Sequence, residues 1–164
     1  MPRISLRKSA AVAMALGLAA SAIHAEGTSQ MKTENVNPFT WAEGIFNQGR
    51  VVQGETRTLI TAGQISWKDD PESPIQVSEA HPGDMRAQWL RAFESLDAVL
   101  AEADMGRDDI QHIKFYVTDI DAAMANMDVM IDYLGENRPP QSLIGVSALA
   151  LPELMIEVEA IAIK

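Results

Sequence analysis

Two glutamates near the end of the chain are the residues whose type and spacing best fit acid–base chemistry. Glu157 and Glu159 lie two apart in an alternating segment, so in a strand their side chains share one face about 7 Å apart. Flanked by Met155 and Ile161, the carboxyl groups would be partly desolvated, which raises a carboxyl pKa and suits general acid–base catalysis. Taken alone, the spacing favours a solvated strip at a sheet edge, since glutamates two apart in a strand are common.

Other chemistries have less support in the sequence. His81 and His112 each lack a second ligand at metal spacing, so we expect no metal site. The chain has no cysteine, which excludes thiolate nucleophiles, disulfides and cysteine-ligated metals. It has no G-x-S-x-G elbow, phosphate loop or dinucleotide fingerprint, so we expect no cofactor. The formal charge of −10 argues against a nucleic-acid partner, because phosphate-backbone binding requires a basic face.

The first 25 residues have the composition of an export leader. Three basic residues within the first eight positions precede an uncharged apolar run over residues 10–22, which is too short to cross a bilayer as a helix. Small residues after this run predict cleavage after Ala25, with Ala22 as the alternative. A lipid-anchored or uncleaved N-terminal helix is the competing interpretation. We therefore expect a periplasmic or secreted protein with no membrane contact after leader removal. Without the three basic leader residues, the formal charge of −10 becomes −13.

The elements that must position the glutamates alternate in type along the chain. Residues 26–44 are predicted as an extended lead-in, residues 58–64 as a strand and the proline-rich residues 68–82 as a loop. A helix is predicted to begin with Asp84 as its N-cap and to end at Gly106. Residues 110–117 alternate as a half-buried strand.

A second helix and two strands complete the prediction. The helix is capped by Thr118 or Asp119, ends at Gly135 and carries an apolar stripe of Ile120, Met124, Met127, Ile131 and Leu134. Residues 142–149 and 154–163 are predicted as the last strands. The order predicts two helices packed on one face of a mixed sheet. Both faces of the last strand are substantially apolar and two helices cannot cover both, so an oligomer that packs sheets together would provide the missing cover.

The last two strands resemble the signature of the RidA/YjgF family. The resemblance lies in residues 138–146 (RPPQSLIGV), Leu151-Pro152 and residues 156–162 (IEVEAIA). Residues 62–64 (AGQ) and 46–49 (FNQG) are similar to the S-G-Q and Y-x-Q-G segments of that family. The resemblance covers roughly residues 45–164, so the leader and lead-in are predicted to precede a single domain.

The resemblance implies a fold, an assembly and an activity. The fold is the α+β fold of the family, and the assembly is a homotrimer whose sheets form a central barrel with ligand clefts between subunits. The activity is hydrolysis of reactive enamines and imines, in which a glutamate positions water and an arginine binds the substrate carboxylate. Carried over by position, Glu157 is the catalytic glutamate. The substrate-binding positions fall on Gln141, where the arginine would stand, Phe46, where a tyrosine would stand, Ser142 and Gly63.

The glutamine at position 141 leaves three interpretations open, because a neutral amide forms weaker hydrogen bonds to a carboxylate than a guanidinium does. The first is a RidA-like hydrolase in which Gln141 binds a neutral or amide-like end of the substrate. The second is a non-catalytic trimer that binds a small molecule in the same cleft. The third is a chaperone-like interaction protein that uses its acidic surface.

Overall fold

The computed structural model describes residues 31–36, 47, 49–54 and 56–164. The predicted leader over residues 1–25 and the candidate Phe46 lie outside these residues. The α-helices are α1 (Met85–Glu102), α2 (Ile120–Ala125) and α3 (Met127–Leu134). The strands are β1 (Lys32–Val36), β2 (Gly49–Gln53), β3 (Thr58–Ile60), β4 (Gln64–Ile65), β5 (Trp67–Asp69), β6 (Val77–Glu79), β7 (Ile110–Val117), β8 (Gln141–Gly145) and β9 (Ile156–Ile163).

A mixed sheet with the strand order β3-β9-β7-β8 forms the centre of the domain, and β4 also pairs with β9. β8 runs parallel to β7, whereas β3, β4 and β7 run antiparallel to β9. The helices pack on one face, where Trp89 of α1 contacts Phe115 of β7 with 5.5 Å between ring centroids. This arrangement confirms the predicted α+β fold with helices on one sheet face.

The last strand alternates as predicted. Ile156, Val158 and the following even-numbered residues of β9 are buried under the helices, whereas the odd-numbered residues are partly exposed on the other face. That second face, which we call the open face, also carries the partly exposed residues of β7, including Lys114 and Tyr116. Glu157 and Glu159 therefore lie together on the open face.

The predicted strand over residues 58–64 is interrupted, and this corrects the sequence interpretation. Ile60 pairs with Ile161 and Gln64 pairs with Val158, so residues 61–63 lie opposite only two residues of β9. The extra residue makes a β-bulge. Thr61 holds it in place, because its backbone N donates to the Ala160 carbonyl at 3.0 Å and its hydroxyl oxygen accepts from the Ala160 N at 3.0 Å.

Residues 68–82 were predicted as a loop, but most of this segment belongs to a hairpin of β5 and β6. Pro71 and Pro74 lie in the connection between the two strands, where they do not interrupt the ladder of hydrogen bonds. Gln76 adopts a positive φ of 65° at the end of this turn. The prolines therefore mark a turn and not an unstructured segment.

Helix α1 begins as predicted but ends earlier. The Asp84 side chain accepts from the Ala87 backbone N at 2.9 Å, which confirms the N-cap. The helix stops at Glu102 rather than at Gly106, because Asp104 adopts the left-handed conformation with φ of 56°. The Met105 N then donates to the Leu100 carbonyl at 2.9 Å, which completes a Schellman motif.

The second predicted helix is divided into α2 and α3, and its predicted apolar stripe is wrong in part. Asp119 caps α2, as one of the two predicted alternatives, and Gly135 ends α3. The two helices meet at Asn126, whose side chain donates to the Ala122 carbonyl. The face that packs on the core is centred on Ala123 and Met130, one position before Met124 and Ile131. Three stripe residues are therefore exposed: Ile120 (42%), Met124 (56%) and Ile131 (52%). The buried face consists instead of Ala123, Val129, Met130, Tyr133 and Leu134.

A second hairpin, β1 with β2, lies within the described part of the predicted lead-in and the segment after it. Arg50 joins this hairpin to the domain by donating from Nη1 to the side-chain oxygens of Gln111 and Asn137, both at 3.0 Å. Strands β8 and β9 are shorter than predicted. Within the described residues, no helix is long and apolar enough to cross a membrane.

Candidate functional site

The carboxyl group of Glu157 packs directly against the backbone of Gly63. A Cβ atom placed on Gly63 would lie 1.7 Å from Glu157 Oε1 and 2.4 Å from Cδ. No residue other than glycine fits there while the carboxyl group stays in place. The bulge over residues 61–63 brings Gly63 to this position, so two predicted site residues that are far apart in the sequence are in contact.

Three strands contribute a row of polar side chains to the open face. Ser142 of β8 pairs with Lys114 of β7, and Lys114 pairs with Glu159 of β9. The next row consists of Ile144, Tyr116 and Glu157. Tyr116 connects the rows, because its hydroxyl donates to Glu159 Oε2 at 3.0 Å. The predicted residues Ser142 and Glu157 therefore share one surface with Glu159.

The titratable groups of this surface have pKa values shifted in different directions. Burial raises the pKa of Glu157 above its usual value, and the negative charge of Glu159 raises that pKa further. The pKa of Tyr116 is raised, first by its hydrogen bond to Glu159. Burial and the nearby Lys114 lower the pKa of His112, so this histidine is neutral at physiological pH. A carboxyl group with a raised pKa can accept a proton from water close to neutral pH.

Gln141 lies on the other face of the sheet. It pairs with Ile113, whose side chain is buried under the helices, and the next residue on the same face, Leu143, packs against the core. Glu157 pairs with Tyr116, three residues further along β7, which corresponds to roughly 10 Å. A single chain therefore does not bring Gln141 and Glu157 together.

The amide of Gln141 has an unusual environment. The residue is half-buried, and its Oε1 is buried without a hydrogen-bond partner among the described residues. A buried acceptor without a donor costs about 1–3 kcal/mol. The position is thus polar but not satisfied by the rest of the described chain.

Tyr116 belongs to this site, although the sequence pattern does not predict it as a site residue. The alternation of β7 placed Tyr116 on the solvent side, but its neighbours depend on the pairing of β7 with β9, which no sequence pattern specifies. The adjacent depression, of about 90 Å³, is lined by Ile60, Thr61, His112, Lys114, Glu159, Ala160 and Ile161. Within the described residues, no group of three or more histidines and carboxylates could hold a metal ion.

Comparison with known proteins identifies the family. A family model described as Endoribonuclease L-PSP matches residues 41–164. The chain belongs to the RidA/YjgF family. A RutC family protein of Pyrococcus abyssi is 33% identical over 106 residues, which cover 65% of this chain and 78% of that protein.

Solved structures of Rid proteins have the same fold. The Rid family protein YyfB of Yersinia pestis is similar with a TM-score of 0.64 and 31% identity, over 79% of this chain and 97% of that one. RidA of the Antarctic bacterium Psychrobacter has a TM-score of 0.54 and 24% identity, over 82% and 97% of the two chains. The region matched by the family model, residues 41–164, includes Gly63, Gln141 and Glu157.

Proposed function

We propose that this Rid family protein is a homotrimeric hydrolase of reactive imines or enamines, with Glu157 positioning the attacking water in a cleft between subunits. The observation that carries the proposal is the contact between Glu157 and Gly63, because it fixes a carboxyl group of raised pKa at an accessible surface. A carboxylate in this position can orient water and take its proton as the water attacks the imine carbon. The carboxyl group then returns that proton to the nitrogen of the resulting carbinolamine, the C–N bond breaks, ammonia leaves, and a carbonyl compound remains.

The open face of the sheet supports association of subunits, as in the proposed trimer. Ile60 is 74% exposed there, and it pairs with the partly exposed Ile161. An exposed apolar patch such as this pair of isoleucines is stabilised when a second subunit covers it. An interface between subunits also offers a way to bring Gln141 of one subunit near Glu157 of another, which a single chain does not do.

The substrate class follows from the charge at the site. Gln141 is neutral, and Glu157 and Glu159 both lie on the open face. An anionic substrate end would therefore bind less well than a neutral or amide-like end, which can exchange two hydrogen bonds with the glutamine amide. The formal charge of −10 likewise disfavours RNA, although the family model is described as that of an endoribonuclease.

An imine-trapping assay tests this proposal. A flavin amine oxidase generates an imine without a carboxylate, and an amino-acid oxidase generates one with a carboxylate; semicarbazide traps each imine, and a hydrolase lowers the yield of semicarbazone. We expect the wild type to compete with trapping of the neutral imine, Glu157→Gln to lose that competition, and Gln141→Arg to improve it for the imine with a carboxylate. If neither the wild type nor Gln141→Arg lowers the yield with either imine, hydrolysis is contradicted.

The same variants also separate the alternative of a binding protein. The neutral Gln141 favours this alternative, because it removes the charge that holds a carboxylate during hydrolysis. Ligand density beside Gln141 in a soaked crystal, together with no turnover by either protein, would identify a non-catalytic binding trimer.

The localisation that we propose is export, on the basis of the composition of residues 1–25. Cell fractionation tests it. We expect a shortened chain outside the cytoplasm, whereas a full-length chain retained in the cytoplasm would contradict export.

A further inference from the structure

We propose that Tyr116 and Glu159 are positioning residues for Glu157: the phenol fixes the Glu159 carboxylate beside Glu157, and the negative charge held there governs proton uptake by Glu157. This inference rests on the proposed function, in which Glu157 positions the attacking water. It assigns roles to two residues that do not themselves contact the reacting atoms.

The geometry of two adjacent strands carries the first step. Tyr116 of β7 is the direct cross-strand partner of Glu157, and Lys114 is the partner of Glu159. The Tyr116 side chain extends diagonally to the second glutamate, where its hydroxyl donates to Oε2 at 3.0 Å. Aromatic side chains in a sheet commonly reach such diagonal neighbours. One tyrosine thus lies beside one carboxylate and is hydrogen-bonded to the other.

The two carboxylates differ in what holds them. Among the described residues, the Tyr116 hydroxyl is the only hydrogen-bond donor to the Glu159 side chain, and no described side chain donates to Glu157. The Glu157 carboxyl group is instead confined by van der Waals contact with Gly63. Two carboxyl groups in different environments can take different roles in acid–base chemistry.

The other side chains around Glu157 and Glu159 come from the neighbouring strands β4, β7 and β8. His112 and Lys114 of β7 carry the remaining titratable side chains on the open face near Glu159, and both line the same depression as Glu159. Ser142 and Ile144 approach from β8, and Ile65 of β4 pairs with Glu157. No ion pair within the described residues neutralises either glutamate.

Because Glu157 and Glu159 lie on one face of β9, the charge of Glu159 acts on Glu157. It raises the pKa of Glu157 in the same direction as burial does. The raised pKa of Tyr116 keeps the phenol protonated, and so a hydrogen-bond donor, at physiological pH. Removing the charge of Glu159 should let Glu157 lose its proton at lower pH, whereas removing the Tyr116 hydroxyl should release the charge to rotate towards solvent.

A titration of the full-length protein tests the proposal. The side-chain carboxyl carbons of ¹³C-labelled glutamates are followed by NMR in the wild type, Glu159→Gln and Tyr116→Phe, with exposed Glu94→Gln on the helical layer as the control. We expect the Glu157 midpoint to move to lower pH in Glu159→Gln, less far in Tyr116→Phe and not at all in Glu94→Gln. On the acid limb of imine hydrolysis, Glu159→Gln should retain a larger fraction of its plateau activity than the wild type, because its Glu157 loses the proton at lower pH.

The two readouts separate the two proposals. An unchanged Glu157 midpoint in Glu159→Gln would overturn the role of Glu159, whatever the activity. A wild-type midpoint in Tyr116→Phe would overturn the role of the phenol. A shifted midpoint without imine hydrolysis by the wild type at any pH would support the coupling and contradict the proposed reaction.

Discussion

The Glu157 carboxyl group occupies the space that a side chain at position 63 would need, since a Cβ on Gly63 would lie 1.7 Å from Glu157 Oε1. This close approach requires a glycine. The bulge over residues 61–63 brings the Gly63 backbone against the Glu157 side chain of the neighbouring strand β9. The position of the Glu157 carboxyl group therefore depends on Gly63, which lies about a hundred residues earlier in the sequence.

The first prediction concerns Gly63→Ala. The added methyl group must displace the flexible end of Glu157 rather than the backbone, so the fold should be kept while the carboxyl group moves. A displacement of about 1 Å can cost about 100-fold in rate, and we expect a loss of that order in imine hydrolysis. Gly106→Ala is the matched control, because a Cβ there meets nothing within 4 Å. Equal activity of the two variants would show that the contact with Gly63 has no role in catalysis.

The sequence predicted the residues of this contact but not the contact itself. The alternation of residues 156–163 was sufficient to put Glu157 and Glu159 on one face, because strand periodicity is a local property. The bulge depends on the pairing of residues 58–65 with β9 and on the Thr61 hydroxyl accepting from Ala160. Such pairing is decided by tertiary structure, so a local pattern suggested one continuous strand.

The second prediction concerns pH and stability. The folded state raises the pKa of Glu157, so it binds a proton more tightly than the unfolded chain does. Stability is therefore lost as pH rises from the ordinary glutamate pKa through the raised one. Glu157→Gln, which removes this titration, should increase the free energy of unfolding at pH 7 relative to the wild type more than it does at pH 3.5. Urea denaturation at the two pH values measures this difference.

Glu94→Gln provides the control for that comparison, because Glu94 is exposed on α1. Its effect should be small at both pH values. A Glu157→Gln variant whose effect on stability is the same at pH 3.5 and pH 7 would contradict the raised pKa.

The third prediction concerns Gln88, which is fully buried in α1 and joins that helix by hydrogen bonds to the segment that precedes β9. Its Nε2 donates to the carbonyls of His81 and Glu153 at 3.1 and 2.8 Å, and its Oε1 accepts from the Met155 N at 2.8 Å. Gln88→Leu leaves these three backbone groups without their partner, so we expect a loss of about 3 kcal/mol in the free energy of unfolding. Denaturant unfolding measures it, with exposed Leu90→Gln on the same helix as the control. If Gln88→Leu lowers the free energy of unfolding by less than Leu90→Gln does, the hydrogen bonds of Gln88 do not stabilise the fold.

The helices show where local patterns were and were not sufficient. The Asp84 cap was predictable because a capping side chain bonds to a backbone N only three residues away. The end of the same helix was not, since Asp104 rather than Gly106 adopts the left-handed conformation. The core-facing side of α2 and α3 is centred on Ala123 and Met130 rather than on Met124 and Ile131, because tertiary packing decides which side of a helix with several apolar residues is buried. Gln141 was predicted as a site residue, and its face of the sheet became clear only from its pairing with Ile113.

The fourth prediction concerns the end of α1. Asp104 has φ of 56°, a conformation that glycine adopts without steric cost. Its ion pair with Lys164 is exposed and spans 3.6 Å, so its loss should matter little. Asp104→Gly should therefore stabilise the protein by about 0.5–1 kcal/mol, as measured by thermal or denaturant unfolding. Asp108→Gly, which lies just beyond in a 3₁₀ turn, should not stabilise it; equal gains in both variants would contradict the explanation.

The fifth prediction concerns assembly through the open face. Ile60 is the most exposed large apolar side chain among the described residues, at 74%, and it lies on β3 beside Ile161. A lysine at this position would place a charge in the interface of the proposed trimer, so Ile60→Lys should shift the mass measured by light scattering from trimer towards monomer. Ile75→Lys is the matched control, because Ile75 is 59% exposed but lies in the turn between β5 and β6. If Ile60→Lys remains a trimer with unchanged dissociation on dilution, the open face is not the surface through which the subunits associate.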